Sequence, residues 1–161
     1  FVPMTIPVVC RPTTIDEARH LGAIDPIKFE QWVVKGLLGA TPTGGKPVDG
    51  ELTFVDDETM KAKRCIVEVT VSHSKKHFDA FLHHAGEAEM GIYVILDKPT
   101  RGMIADAKQA GIYHSPGWQA DFPRVQIFTI EDLFADKRPN LPPAYRKRGQ
   151  STRLRFLRTI G

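Results

Sequence analysis

Residues 64–96, RCIVEVTVSHSKKHFDAFLHHAGEAEMGIYVIL, decide the fold. RCIVEVTV is rich in β-branched residues and has strand length, which predicts a strand. In the next segment Phe78, Phe81, Leu82 and Ala85 recur at i, i+3, i+4 and i+7, which predicts a helix over about residues 75–89 with one buried stripe. GIYVIL then returns to a short apolar run of strand length. Working outward, GELTFV precedes this core and predicts a first strand, joined to RCIVEVTV as a β-hairpin through an acidic turn at Asp56 and Asp57. Downstream, Thr100 caps a helix running to about Ala110, where Gly111 stops it; RVQIFTI supplies another strand before a short IEDLFAD helix. Upstream, Thr14 with Glu17 forms a capping-box pattern for a short helix near residues 15–21, expected to pack as a lid. Asp25-Pro26 starts the first main helix, in which Phe29, Trp32, Val33, Gly36 and Leu37 keep helical spacing up to Gly39. The order helix, strand, strand, helix, strand, helix, strand, helix implies an α/β fold, a mixed sheet with helices on both faces and right-handed crossovers after the hairpin.

The composition bounds this reading without choosing a function. A chain of 161 residues fits one domain, and 42% hydrophobic with 25% charged residues is ordinary for a globular protein. Cys10 and Cys65 stand alone, and the six histidines show no metal-ligand spacing, His83 and His84 reading as helix surface. A zinc site and a disulfide framework are therefore not expected, and a reducing, intracellular setting is. No apolar run approaches the ~18 residues of a membrane span. The start, Phe1 rather than Met with no basic region before an apolar one, is unlike a secretory signal, and it reads as a piece of something longer. The net charge of +3 is unevenly spread: residues 1–136 hold 14 Lys/Arg against 19 Asp/Glu, whereas residues 137–161 hold eight Lys/Arg and no acid. We divide the chain into an N-terminal strand or linker (1–11), the α/β domain (12–143) and a basic tail (144–161). In that tail Arg146, Lys147, Arg148, Arg153, Arg155 and Arg158 alternate with Tyr145 and Phe156, which suits a phosphate backbone and equally suits a solvated linker.

Three acids suggest chemistry as a set. Asp49 stands where a Gly-rich loop enters the first hairpin strand; Glu68 lies inside the second, where a carboxylate is costly without a partner. Paired strands bring both toward one end of the sheet, where two carboxylates and a backbone carbonyl, that of Val69, can hold Mg²⁺ by oxygen alone. Such an ion activates a water and offsets charge developing on a phosphate, as phosphodiester hydrolysis requires. Glu30, in the first main helix, can join from above. Individually each has a plain alternative: Glu68 between Val67 and Val69 as a solvent-facing residue, Glu30 as the wet face of its helix, Asp49 as a turn aspartate before Gly50. His73, Lys75, Lys76 and His77 follow the Glu68 strand directly and are placed to meet phosphate; Lys75 or Lys76 can position the water or stabilise transition-state charge, or be solvated at a helix start.

The runs FEQWVVKGLLGA (29–40), PVDGELTFVDD (47–57), KRCIVEVTVSH (63–73), EMGIYVILDKPTRGMIADAKQAGIYHSPGW (89–118) and FPRVQIFTIEDLFADKRPNLP (122–142) together resemble a known family. It is the restriction-endonuclease-like domain at the carboxyl end of some bacterial and phage DNA methyltransferases, similar to Mrr-like members of the PD-(D/E)XK superfamily. The likeness covers about residues 12–143. It implies a restriction-endonuclease-like mixed central sheet with flanking helices and a metal-dependent DNA endonuclease of a restriction-modification or related defence system. It also implies double-stranded DNA as substrate, Mg²⁺ or substituting Mn²⁺ as cofactor, a DNA methyltransferase in the same or a partner chain, a possible homodimer, and a cytoplasmic bacterial or phage-encoded protein. The resemblance assigns metal binding to Asp49 and Glu68, and an assisting role to Glu30. The sequence departs from the family at one position: the second motif is (E/Q)-x-K, and Glu68-Val69-Thr70 has threonine where lysine is expected. A hydroxyl supplies no positive charge. Either Lys75 or Lys76 takes over the lysine's part, or the domain is a catalytically weak or inactive DNA-binding or interaction module associated with a methyltransferase.

Overall fold

A computed structural model describes residues 11–44 and 46–146. The chain forms α1 (Ile15–Ile24), α2 (Pro26–Gln31) continued by a π-helical segment (Trp32–Leu37), β1 (Thr41–Pro42), β2 (Gly50–Phe54), β3 (Lys63–Thr70), α3 (Lys75–Gly86), β4 (Met90–Ile95), α4 (Arg101–Gln109), β5 (Ile112–Ser115), β6 (Ala120–Pro123), β7 (Val125–Thr129) and α5 (Ile130–Phe134). Five strands make one mixed sheet in the order β1-β2-β3-β4-β7, antiparallel from β1 to β3 and parallel from β3 to β7.

The α/β class, the hairpin and the helices on both faces agree with the sequence. Along β3, Cys65, Val67 and Val69 enter a core shared with Ala18 of α1, Phe29 of α2 and Leu133 of α5. Ile66 enters the opposite core with Tyr93, Phe78, Phe81 and Met103, beneath α3 and α4. Because side chains alternate across a strand, Glu68 shares the face of Ile66. β4 is buried at every position, as a central parallel strand covered on both faces should be.

Several expectations are corrected. Helix α1 extends to Ile24 and is no lid, since Ala18 is buried in the core; Thr14 caps it as expected, its hydroxyl accepting from Glu17 N, while Glu17 Oε2 accepts from Thr13 N. The first main helix widens into π-helical turns at Trp32, burying both Val33 and Val34. No tight turn joins β2 to β3; residues 55–62 form a loop in which Asp56 and Asp57 both grip Lys63. Helix α3 stops at Gly86, three residues early, where the Arg124 guanidinium donates to the carbonyls of Ala85, Gly86 and Ala88. The TP of the loop after α2 pairs as β1, and residues 112–123 form an antiparallel hairpin, β5–β6, that periodicity alone missed because its burial is shallow.

The start of the expected basic tail is part of the domain. Tyr145 N donates to Val55 O, the Tyr145 ring packs on Trp118, and Trp118 Nε1 donates to Pro143 O. Residues 1–11, but for Arg11, and the tail beyond Arg146 lie outside the described residues.

Candidate metal centre

Asp49 owes its position to the way β2 leaves β3. Gly50 is the last residue of β2 in register with β3, opposite Val67, and Asp49 N still donates to Val67 O. Beyond that point the backbone of the partner strand turns away, and the Asp49 side chain takes its place: Oδ2 accepts the Val69 N–H at 2.8 Å. A buried strand N–H would otherwise be unpaired. The N–H and C=O of one strand residue point to the same edge, so the Val69 carbonyl also faces the Asp49 side.

Glu68 lies beside its β4 register partner Tyr93, with its side chain only 11% exposed. The solvent-facing alternative for Glu68 is thus overturned. Burial first, then the charges of Asp49 and Glu30, push its carboxyl up to about 8. Glu30 reaches the same place from α2 and is raised to about 7 by burial and by Asp49. Its helix approaches closely because residue 50 has no side chain: a Cβ there would stand 2.6 Å from Val34 Cγ1. Asp49 itself is raised by burial, against the lowering effects of the Val69 hydrogen bond and of His77. The three acids expected as a set are therefore within electrostatic reach of one another. Among the described residues none of them pairs with a lysine or arginine.

The basic residues fall differently from expectation. Lys75 is turned along the surface of α3 onto Asp79, with Nζ 2.9 Å from Oδ2, and Lys76 is exposed. His73 is exposed in the loop after β3. Arg146 is exposed and adjoins Tyr145, which is tied to Val55 near the start of β3, at the far end of that strand from Glu68. Lys147 and Arg148 lie outside the described residues. Thr70, in the place of the family's lysine, donates its hydroxyl to Ser72 O. The side chain that meets Glu68 is His77, whose Nε2 lies 2.8 Å from Glu68 Oε1 while its Nδ1 lies 3.1 Å from the Tyr93 hydroxyl. Sequence reasoning placed His77 near phosphate only as one of four basic residues. The signal for more was Ser74: as N-cap it accepts the His77 N–H, which fixes His77 in the first turn of α3, next to the end of β3.

Among the described residues no three Asp, Glu, His or Cys side chains close into a ready-made metal cage. The donors nonetheless fit a hard cation: Mg²⁺ keeps several waters and is held by one or two carboxylates, and here Glu68 stands close enough to Asp49 and Glu30 for their charges to raise it, with no lysine or arginine paired to any of the three among the described residues. Compared with known proteins, the chain matches no family model, no curated protein and no solved structure.

Proposed function

We propose that the chain is a metal-dependent DNA endonuclease of the PD-(D/E)XK type, acting on duplex DNA within a restriction or related defence system alongside a DNA methyltransferase. One observation carries the reading: Glu30, Asp49 and Glu68 gather at the carboxyl end of β3, half-buried or buried, and the charge of Asp49 adds to burial in raising Glu30, as those of Asp49 and Glu30 do in raising Glu68. A buried like-charge cluster is unstable unless it is protonated or faces a cation. Asp49 and Glu68, with the Val69 carbonyl, would hold Mg²⁺ or Mn²⁺, which supplies activation of the attacking water and relief of charge on the phosphate. Glu30 completes the negative site from the helix side. Asp49 Oδ2 remains engaged by the Val69 N–H, which keeps that carboxylate oriented.

A second reading, a DNA-binding module that does not cleave, is favoured by one observation: the position expected to carry a lysine is Thr70, and its hydroxyl is directed to Ser72 O. The two separate on supercoiled plasmid, methylated and unmethylated, incubated with Mg²⁺, Mn²⁺ or chelator. The nuclease reading expects metal-dependent nicking that falls to background in Asp49→Ala. No nicking with either metal on either substrate removes it.

A further inference from the structure

We propose that His77, held by Tyr93, is the positioning residue for Glu68. The inference rests on the nuclease reading and deepens it.

The His77 ring has both nitrogens engaged along one line: Nε2 at 2.8 Å from Glu68 Oε1 and Nδ1 at 3.1 Å from the Tyr93 hydroxyl. A carboxylate facing a cation can only accept. With its proton on Nε2, the ring donates to Glu68, and Nδ1 then accepts from the Tyr93 O–H. Each group has one role in this chain, so the tautomer is fixed by the partner at the other end. Glu68 Oε1 is thereby held, and the carboxylate has its second oxygen to present toward Asp49 and Glu30.

The support behind His77 is rigid. Tyr93 is fully buried, in register with Glu68 on the neighbouring strand, and its ring meets Phe78 edge-on at 4.9 Å and Phe81 at 5.1 Å. The hydroxyl position is therefore set by aromatic packing, and the Ser74 cap fixes the backbone of His77. The other candidates do not compete: Lys75 is paired with Asp79, Lys76 is exposed, and Thr70 donates to Ser72 O. A partner that orients a metal-binding carboxylate in this way is ordinarily worth ~10–100-fold in metal affinity or activity.

The test is calorimetric titration of Mn²⁺ into the full chain without DNA, for the wild type, His77→Ala, His77→Gln and Tyr93→Phe, with unfolding in chelator as the check on folding. We expect His77→Ala to bind Mn²⁺ ~10–100-fold more weakly. His77→Gln, whose amide keeps a donor toward Glu68, should recover most of that loss. Tyr93→Phe, which keeps the ring and removes only the hydroxyl, should fall between wild type and His77→Ala. A merely structural histidine would lower stability in chelator without changing Mn²⁺ affinity, and that result overturns the inference while leaving the nuclease reading intact. Equal loss in His77→Gln and His77→Ala overturns it as well. If the wild type binds no Mn²⁺, the nuclease reading fails first and takes this inference with it.

Discussion

The two ends of β3 each hold a cluster of acids, and they are built oppositely. At its start, Asp56 is fully buried and Asp57 half-buried, and Lys63 lies 2.6 Å from one and 2.8 Å from the other, while Tyr113 donates to Asp56 at 2.8 Å. Burial alone would raise the Asp56 carboxyl, but Lys63 and the hydroxyl beside it outweigh burial and hold it below its ordinary value. Lys63 is raised in turn by its two acids, against burial. Near the end of the strand, His77 is the one basic side chain that pairs with Glu68, Asp49 or Glu30 among the described residues, and burial with the charges of neighbouring acids leaves Glu68 and Glu30 raised. The first cluster carries its own counter-cation and belongs to the scaffold. The second has no lysine or arginine partner among the described residues, and perturbed acids of that kind are enriched at functional sites.

The largest effect that would break this contrast is at the scaffold end. Asp56→Ala removes the buried partner of the Lys63 ammonium, leaving it Asp57 alone, and takes the acceptor from the Tyr113 hydroxyl. We expect a loss of ~3–5 kcal/mol in urea unfolding; a loss under 1 kcal/mol would mean that the pair is not a structural anchor.

The two ends also predict opposite responses to pH. In chelator, Glu68 keeps its proton in the folded chain up to about 8, whereas an unfolded carboxyl loses it near its ordinary value. The folded state then binds more protons than the unfolded one, so this group's contribution to stability falls as pH rises from the ordinary carboxylate range to about 8, and is flat above. Asp56, with its folded pKa lowered, contributes stability that is present above the unfolded value and lost as pH drops below it. Unfolding measured across pH should therefore show a descending limb between the ordinary carboxylate range and about pH 8 that Glu68→Gln flattens and Mn²⁺ suppresses. A limb unchanged by Glu68→Gln would assign it elsewhere.

The smallest effect is at Lys75. Its Nζ pairs with Asp79 in an exposed i,i+4 arrangement, so Lys75→Ala should leave the midpoint of the same unfolding experiment essentially unchanged. A clear drop in the midpoint would place this lysine in a more demanding contact.

How far the sequence reached is clearest along β3 itself. Its period-2 pattern and the helical stripe of Phe78, Phe81 and Ala85 were enough to place a strand, a helix and the next strand, because burial of apolar side chains is a strong and local signal. The hairpin β5–β6 escaped, since Ile112 is 63% exposed and the residues between its strands are shaped by contacts with the loop at Asp56, far away in sequence. The gathering of Glu30, Asp49 and Glu68 was legible only as a set supported by resemblance. Whether Glu68 faced solvent depended on whether a helix covered that face of the sheet, a tertiary fact. His77 escaped for a related reason: which member of His73, Lys75, Lys76 and His77 turns inward is decided by the phase of α3 relative to β3, and that phase follows from the Ser74 cap.

Under the proposed reading the Asp49 carboxylate has two duties. One of its oxygens completes the β2–β3 ladder by accepting the Val69 N–H, and would do so in a chain with no metal and no reaction. Selection for folding alone would thus retain an aspartate, or an asparagine, at this position after activity had been lost. When related chains are compared, Asp49 is a poor witness to catalysis; Glu68, whose burial among acids serves no ladder, is the better one.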